Sequence, residues 1–476
     1  MNKQSYQSSW IIRVLLVLSL ISMSACDLVD PSKVENPQIT EDNLLANASG
    51  GTTPLLVGLR RRMAITIGNT GFICDLVSDN MDNRTSFYAN DLDYPTTIKP
   101  VTFTYDVMYE SIQTLHALAD FGLNVIIPKD NLVTSEQKSE VYFMKGMALV
   151  LLAESFTNFP IEEKKPWVSA ADANQKGIDA LNTAWLLTAN TAMKSNIKLA
   201  LARAYRIAKD KAKAAQAAQD ALALGATYVY YAQFDQINVT SALYTALVGR
   251  STNDIQPLPR LDFLDPKFST QTTSMPVLKT EEAHLILAEA AIANGDLAGA
   301  RKSMADAVTL ARSRSTTTYN DKDARPQHPN DAALLVKADA TAPAIAGLIQ
   351  KRGGSSIVTV YSISGTSVTI AQVNALVAKA DHISMLYLLR QEIFFGEGHR
   401  MSDLGIRLPV TQRQIDGNTN TADGGPGTRV FVPTYIPINK EMKEFTTTGN
   451  TVTIKWDMNR IIAQNINKVS PFGITP

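Results

Sequence analysis

The sequence predicts a mainly α-helical protein in which pairs of helices form hairpins, separated by long irregular loop insertions and a few short β-strands. Apolar residues make up 45% of the 476 residues and are spread along the chain, so a large core can be buried. In several segments they recur every three or four positions, which is typical of amphipathic helices. Between these segments the chain is rich in Thr, Asn, Asp, Gly and Pro, which favour turns and loops.

Two segments have the same hairpin design. In residues 195–224, apolar side chains at helical spacing precede a polar turn at Lys209–Lys211, and an alanine-rich stretch follows it. Residues 280–312 repeat this order around the turn Asn294–Asp296. Alanine at contact positions lets two helices approach closely, and a short turn makes them antiparallel. Each segment therefore resembles a tetratricopeptide hairpin, whose period is about 34 residues, although the two copies are not adjacent.

Two longer helices are predicted upstream of these hairpins, from about Tyr105 to Val125 and from about Glu136 to Phe156. Pro128 and Pro160 lie where these helices would have to end, because proline does not continue a helix. Four segments are predicted to be irregular: Phe72–Pro100, Thr227–Met275, Thr316–Gly354 and Gly417–Ile454. Three short runs have the composition of β-strands: Ile357–Ile363, Val368–Ile370 and Val452–Lys455.

Composition and motifs argue against several classes of protein. The 45 Lys and Arg residues equal the 45 Asp and Glu residues in number, whereas a nucleic-acid-binding protein would show a basic excess. The two cysteines and five histidines form none of the usual metal-binding patterns, so no metal site is predicted. No G-x-S-x-G or P-loop pattern occurs, and neither a cofactor nor a catalytic residue is predicted. A glycosidase with two carboxylates stays open, because such carboxylates meet only in the fold.

The N-terminus has the features of a secretion signal. The apolar run Val14–Met23 is too short to cross a bilayer as a helix, but it is typical of a signal peptide. Small residues directly before Cys26 resemble a bacterial lipobox. We therefore predict a lipoprotein signal peptide over residues 1–25, lipidation of Cys26 and a polar tether over residues 26–40; the alternative is an ordinary cleaved signal. With Cys26 acylated, Cys74 is predicted to be a small buried side chain.

The C-terminal third contains the segment Arg390–Leu404, RQEIFFGEGHRMSDL. It resembles the R-x-E-x-x-x-E-G-x-R-x-x-D-L signature of the SusD/RagB family of outer-membrane nutrient-binding lipoproteins, with one additional residue between the two glutamates. The lipobox, the long helix pair ending near Pro160, the segment Glu282–Ala290 and the segment Ile436–Ile438 follow in the order expected of that family. The resemblance covers about residues 26–476.

This resemblance implies a SusD-like helical-repeat fold over residues 41–476, with an N-terminal part at about 41–315 and a C-terminal part at about 316–476. It also implies a non-enzymatic protein, lipid-anchored in the outer membrane and exposed at the cell surface, that binds an oligosaccharide or another polymer-derived nutrient. The implied partner is a SusC-like TonB-dependent transporter, which receives the cargo. The alternative is a periplasmic tetratricopeptide-like lipoprotein that acts as a scaffold for envelope assembly.

Three charged residues of the C-terminal signature have helical spacing. Glu397, Arg400 and Asp403 follow one another at i,i+3, so an alternating ladder of ion pairs along one helix is available. Gly398 lies where a helix could end or where another segment could cross closely. A flanking arginine would keep Glu397 ionised, whereas an acid catalyst needs a raised pKa. The favoured interpretation is an arginine clamp that joins two elements, and the alternative is a catalytic carboxylate pair.

The irregular stretch Asp79–Tyr94 carries aromatic side chains among Asn, Asp and Arg residues. Sugar-binding proteins stack aromatic faces on pyranose rings and bind the hydroxyls through such polar side chains. In the SusD family the loop before the long helix pair commonly contributes to the ligand face, so the resemblance supports this position. The alternative is that these aromatic side chains pack against the helices. The predicted ligand-binding residues are Asn83, Arg84, Phe87, Tyr88, Asn90, Asp91 and Tyr94, together with Tyr319 after the second hairpin.

Overall fold

The computed structural model describes residues 49–84, 88–162, 164–250, 254–321, 334–349, 356–421 and 423–475. The predicted signal peptide and tether, with Cys26, lie outside the described residues, as does Phe87. The helices are α1 (Thr52–Val77), α2 (Asp106–Phe121), α3 (Ser135–Ser155), α4 (Ala170–Leu187), α5 (Thr191–Ile207), α6 (Lys211–Leu224), α7 (Ala242–Leu247), α8 (Thr280–Ala293), α9 (Leu297–Ser313), α10 (Ile370–Asn374), α11 (Lys379–Ile393), α12 (Arg400–Asp403), α13 (Gln412–Asp416), α14 (Met458–Gln464) and α15 (Ile466–Val469).

The strands are short and form small sheets. They are β1 (Met81–Asn83), β2 (Asn158–Phe159), β3 (Val168–Ser169), β4 (Val229–Ala232), β5 (Ile255–Pro257), β6 (Met275–Lys279), β7 (Thr316–Asp321), β8 (Leu335–Lys337), β9 (Ala344–Ala346), β10 (Ser356–Tyr361), β11 (Phe445–Thr448) and β12 (Thr451–Ile454). Among the described residues, β1–β5, β2–β3, β4–β6 and β7–β10 form two-stranded sheets, and one four-stranded sheet has the order β11-β12-β8-β9.

Consecutive helices pack against each other from α1 to α6, and α8 then packs on both α6 and α9. The two predicted hairpins are α5–α6 and α8–α9, which confirms the mainly helical class. Their second helices begin at capping aspartates: Asp210 accepts a hydrogen bond from Lys213 N at 3.0 Å, and Asp296 accepts one from Gly299 N at 2.8 Å. The predicted pair of longer helices corresponds to α2 and α3, which pack together.

The sequence did not predict two long helices, α1 and α4. The C-terminal end of α1 extends into the segment from Phe72 that was predicted to be irregular. Helix α4 lies very close to α3, since a Cβ atom added to Gly146 would lie 2.7 Å from Leu181 Cγ and 3.1 Å from the Gly177 carbonyl oxygen. Glycine, threonine and asparagine weaken the helical signal of a sequence, and packing against neighbouring helices overrides that weakness here.

Two of the three predicted strands are confirmed, as β10 and β12. The prediction of a strand at Val368–Ile370 is wrong, because these residues lead into α10. Thr369 is the N-cap of that helix: its hydroxyl accepts from Gln372 N at 3.3 Å, and the Gln372 side chain accepts from Thr369 N at 2.8 Å. This reciprocal capping box starts a helix where the β-branched composition alone suggested a strand.

A main apolar core includes residues from Leu55 near the start of α1 to Ile474 near the C-terminus, and a smaller cluster lies under the four-stranded sheet. Cys74 is a buried free thiol in the main core, as predicted, and burial raises its pKa. None of the described helices is both long enough and apolar enough to span a bilayer. The core thus fixes the helices, and the loops between them carry the polar and aromatic groups considered next.

Candidate ligand-binding site

Most of the predicted ligand-binding residues lie in one stretch of chain, residues 81–94, which we call the ligand loop. Its first strand, β1, pairs antiparallel with β5, and the next residue, Arg84, donates its backbone N–H to the Asp254 carbonyl at 3.2 Å. At the other end a 3-10 turn covers Asn90–Asp93. The described parts of the loop are therefore fixed by backbone hydrogen bonds on both sides of Phe87.

Asp93 holds the ligand loop to the segment that precedes β11, and its side chain is fully buried. Its Oδ2 accepts hydrogen bonds from Asn83 N at 3.2 Å and from Lys440 Nζ, and its Oδ1 accepts one from Lys443 Nζ at 2.6 Å. Burial lowers the pKa of Lys443, and the adjacent Asp93 carboxylate opposes that shift. A buried carboxylate is tolerated when cations and N–H donors surround it in this way.

Asn83 and Arg84 use their polar groups in contacts within the protein. The Asn83 side-chain amide donates to the Tyr88 carbonyl. The Arg84 guanidinium donates to the Lys443 carbonyl at 2.9 Å and lies 4.3 Å from the centroid of the Phe445 ring. Both side chains therefore hold the shape of the loop, and direct contact between either one and a ligand stays a prediction.

Tyr88 is the aromatic side chain of the ligand loop that is most available to a ligand among those described, because it is 42% exposed. The Arg250 guanidinium lies 4.2 Å from the centroid of its ring, close enough for a cation–π interaction. Arg250 is in turn fixed by two hydrogen bonds to the Asp254 carboxylate, at 2.9 and 2.8 Å. The ring is therefore held in place without being covered.

The remaining predicted residues of the loop are partly buried. The Thr104 hydroxyl donates one hydrogen bond that is shared between the two oxygens of Asp91, at 3.0 and 2.9 Å, while Asn90 and Tyr94 are half-buried. This contact brings the residues just before α2 to the ligand loop. Phe103, the neighbour of Thr104, is 79% exposed and was not predicted as a ligand-binding residue. Its sequence signal is weak, since it is a lone aromatic residue between two threonines, and exposure can be read only from the fold.

Tyr319 is not part of this arrangement of residues. It lies on β7, opposite Val358 of β10, in a separate two-stranded sheet, and it is half-buried. Its role in ligand binding stays a prediction.

Another exposed aromatic residue, Trp456, follows β12 and borders a cavity of about 290 Å³ together with Arg460. The preceding residue, Lys455, donates its backbone N–H to the Glu444 carbonyl at 2.8 Å. The Glu444 carboxylate lies 3.8 Å from the Arg84 guanidinium. The segment that carries Trp456 is thus connected to the ligand loop, and sequence analysis did not predict this connection.

Of the three charged residues of the C-terminal signature, Arg400 and Asp403 are buried and the Glu397 side chain is 4% exposed, and all three pair with other elements. We call these residues and their partners the ion-pair core. The contacts are Glu397 Oε1 with the Nζ atoms of Lys267 and Lys279 at 2.7 Å each, Arg400 Nε and Nη2 with Asp79 at 2.6 and 2.8 Å, Arg400 Nη1 with Asn459 Oδ1 at 2.8 Å, and Asp403 Oδ2 with Arg390 Nε at 2.7 Å.

The ladder of ion pairs along one helix, available from the i,i+3 spacing, does not form. Helix α11 ends at Ile393, Gly396 and Gly398 both have positive φ, and α12 begins only at Arg400, so Glu397 is not on a helix. A Cβ atom added to Gly398 would lie 2.8 Å from the Thr70 side chain of α1. Glycine is therefore required there both by the backbone conformation and by the close crossing of α1.

The ion-pair core offers little room for a ligand. A cavity of about 100 Å³ borders it next to Asp403 and Arg206, whereas ligand pockets usually have about 300–1,000 Å³. Burial and the neighbouring arginine Arg203 lower the pKa of His399 well below its ordinary value, so this imidazole stays neutral. No group of three or more His, Cys, Asp or Glu side chains in the described ranges could hold a metal ion.

Comparisons with known proteins identify the fold. No family model matches the sequence, and no curated protein matches it either.

Solved structures do match. A SusD superfamily protein from Bacteroides vulgatus has a TM-score of 0.54 at 14% identity, over 77% of this chain and 96% of that one. A chitin-binding SusD homolog from Flavobacterium johnsoniae has a TM-score of 0.52 at 12% identity, over 80% and 97%. A SusD superfamily protein from Bacteroides thetaiotaomicron has a TM-score of 0.51 at 12% identity, over 78% and 97%. The chain therefore has the SusD-like fold.

Proposed function

We propose that this protein is a SusD-like lipoprotein of the outer membrane, which captures a glycan at the cell surface and delivers it to a SusC-like TonB-dependent transporter. The observation that carries the proposal is the fixed, polar ligand loop with its exposed Tyr88 ring, together with the exposed Phe103, whose neighbour Thr104 is hydrogen-bonded to the loop. The chitin-binding SusD homolog from Flavobacterium johnsoniae, which has the same fold, supports a glycan as the ligand. The predicted lipidation of Cys26 supplies the membrane anchor.

In this proposal the glycan binds by stacking and hydrogen bonding. Sugar rings stack on Tyr88 and Phe103, and their hydroxyls bind the side chains of Asn90 and Asp91. Because Asp93 already fixes the loop, little conformational entropy is lost when the ligand binds, which favours affinity. Arg250 keeps the Tyr88 ring in one orientation before the ligand arrives.

Binding without bond cleavage agrees with the small number of carboxylates that the ligand loop exposes. Hydrolysis of a glycosidic bond generally needs two carboxyl groups that flank the bond, one of which acts as an acid. Of the four aspartates in residues 79–94, Asp79, Asp82 and Asp93 are buried. The fourth, Asp91, accepts a hydrogen bond from the Thr104 hydroxyl that is shared between its two oxygens. The loop therefore offers a ligand one partly exposed carboxylate rather than a pair.

Calorimetry with oligosaccharides tests the ligand assignment. The variants are Tyr88→Ala and Phe103→Ala, titrated with chitohexaose and maltoheptaose, and product release is followed in the same samples. We expect each variant to weaken the affinity for the bound glycan roughly tenfold, because truncation of an aromatic anchor commonly costs more than about 1 kcal/mol. No product should form.

Phe121→Ala is the matched control for these variants. Phe121 is also a partly exposed phenylalanine, but it lies at the opposite end of α2 from Phe103, roughly 27 Å away at 1.5 Å per residue. Its truncation should leave the affinity unchanged. Equal losses in all three variants, or unchanged affinity in all of them, would remove the ligand loop from the proposal. Product formation would replace the proposal with an enzyme.

Protease treatment of intact cells tests the location and the partner. A surface lipoprotein is degraded, and a TonB-dependent barrel co-purifies with it after mild solubilisation. The Cys26→Ala variant should lose both the membrane anchor and the barrel. Protection from protease together with the absence of a barrel would favour the periplasmic scaffold instead.

A further inference from the structure

A groove of about 900 Å³ lies on the helical side of the protein, between the first half of α1, the starts of α3 and α5, and the chain from β4 to Val239. Its volume is within the range of sites that bind small molecules. None of its lining residues belongs to the ligand loop. The groove is therefore a separate cavity, and neither the sequence motifs nor the proposed function assigns it a role.

Aromatic and apolar side chains form much of the wall. Leu56, Met63 and Phe234 are buried, while Tyr230 and Tyr231 are partly exposed to the groove. The Tyr230 ring packs edge-on against Phe143, with centroids 5.6 Å apart, so its position is fixed. A fixed tyrosine ring that carries a polar hydroxyl suits a ligand with both apolar faces and polar edges, as a sugar has.

The hydrogen-bond acceptors of the groove are already occupied. Glu140 accepts two hydrogen bonds from Arg60, at 2.6 and 2.7 Å. Glu136 accepts from Ala189 N at 2.7 Å and from the Thr188 hydroxyl, and Asp235 accepts from the backbone N–H groups of its own turn, residues 237–239. The carboxylate oxygens of the wall are therefore occupied by donors of the protein, and the charge of Glu140 is also matched by the Arg60 guanidinium.

Several donors, in contrast, have no partner. Within the described ranges the hydroxyls of Tyr230 and Tyr231 and the side-chain N–H₂ of Asn190 make no hydrogen bond, and Arg61 makes neither a hydrogen bond nor an ion pair. Arg60, by comparison, is paired with Glu140. A groove that offers donors and one unpaired guanidinium, while its acceptors are occupied, is suited to a ligand that supplies acceptors and a negative charge.

We propose that this groove is a second glycan site, which binds an acidic sugar. The sugar ring packs on Tyr230 and Tyr231, and its carboxylate binds the Arg61 guanidinium. A uronic acid residue within an oligosaccharide has this combination of an apolar ring face and a carboxylate. Together with the ligand loop, such a site would let one molecule hold a long polymer at two points, which increases the overall affinity without new contacts.

The test is calorimetry of the full-length protein with tetragalacturonate and with maltotetraose, a neutral sugar of the same length. Wild-type protein should bind the acidic tetramer in a salt-dependent manner, and the Arg61→Met variant should bind it at least about tenfold more weakly, because a charge-assisted contact is lost. The Tyr231→Phe variant keeps the ring and removes one donor, so it should weaken binding by a smaller factor.

Arg62→Met is the matched control, since Arg62 is the adjacent exposed arginine of α1 and does not line the groove. It should bind the acidic tetramer as wild-type protein does. The variants Tyr88→Ala and Phe103→Ala should also retain this binding. Absence of binding to tetragalacturonate, equal effects of Arg61→Met and Arg62→Met, or loss of this binding in the ligand-loop variants would overturn the second site. None of these results bears on capture of a neutral glycan at the ligand loop, which the earlier titrations test.

Discussion

The ion-pair core around Arg400 and the ligand loop around Tyr88 are both rich in charged and aromatic side chains. The side chains of the two regions differ in how far they are buried. Arg400 is 1% exposed and every one of its described partners is on another element, whereas Tyr88 is 42% exposed and Phe103 is 79% exposed. A buried charge has to be matched by the protein itself, so it holds elements together. An exposed aromatic ring remains available to a ligand. The difference in burial therefore separates residues that hold the fold from residues that can bind.

The largest expected effect comes from Arg400→Met. The variant leaves the buried carboxylate of Asp79 without its cation, and breaking a buried pair in this way typically costs about 3–5 kcal/mol. We expect the free energy of unfolding, measured with urea, to fall by about that amount. Arg413→Met is the matched control, because its pair with Glu110 is exposed, at 77% and 43% for the two side chains, and is worth at most about 1 kcal/mol. Similar losses in both variants would contradict the distinction between the two regions.

The second prediction concerns the pH dependence of stability, through Asp75. This carboxyl group is buried beside the ion-pair core; burial raises its pKa from 3.8 to about 7, and the 2.6 Å hydrogen bond from Gly396 N opposes the shift. The folded state therefore holds a proton that the unfolded state releases. The resulting stabilisation is complete below about pH 4, decreases as the pH rises through 7, and amounts to as much as about 4 kcal/mol.

Asp75→Asn tests this dependence, because the amide stays neutral at every pH. Unfolding free energies of wild-type and variant protein are compared between pH 4 and 8. We expect the wild-type protein to lose stability relative to Asp75→Asn as the pH rises across this range. The comparison cancels the contributions of the other titratable groups, which are the same in both proteins. Parallel curves for the two proteins would show that Asp75 does not hold a proton in the folded state.

The sequence pattern located the residues of the ion-pair core but not their partners. The spacing of Glu397, Arg400 and Asp403 would allow ion pairs between them only if all three were on one helix. The backbone at Gly396 and Gly398, both with positive φ, interrupts that helix. The actual partner of Arg400 is Asp79, 321 residues away in the chain. A contact of this separation depends on how α1 and α12 pack, which local spacing does not report.

The same limit applies to the ligand loop. Turn-forming and polar residues predicted an irregular loop near Tyr88, and the structure has one, but burial of each side chain was not predictable. Asn83 donates within the loop and Arg84 donates to Lys443, while Phe103, which had only a weak sequence signal, is exposed beside Thr104. The helical hairpins were predictable because their periodicity is local. Helix α4 was missed because its contact with α3 depends on glycines that weaken the local signal.

The third prediction uses Asp93, which belongs to the ligand loop but is buried like the ion-pair core. In Asp93→Asn the two lysines lose their counter-charge, although one acceptor oxygen remains. Because hydrogen bonds to charged groups contribute about 1.5–3 kcal/mol, we expect the free energy of unfolding to fall by about that amount. Glycan affinity should fall as well, since the loop is no longer fixed. Urea unfolding and calorimetry of the same samples check both effects, and a loss of affinity at unchanged stability would show that Asp93 contacts the ligand directly.

The smallest expected effect is the coupling between Tyr88 and Arg250, and a double-mutant cycle on the free energy of unfolding measures it. With Tyr88→Ala, Arg250→Ala and the double variant, we expect a coupling of about 0.5–1 kcal/mol, as found for exposed cation–π pairs. The Lys213–Tyr205 pair is the control, because its ammonium lies 5.6 Å from the ring centroid rather than 4.2 Å and should couple less.

A coupling between Tyr88 and Arg250 above about 2 kcal/mol would mean that this contact is desolvated, as contacts in the ion-pair core are. Tyr88 would then have too little free ring surface to receive a sugar. A coupling near zero would mean that Arg250 does not orient the ring, so the stacking surface would have to form when the glycan binds.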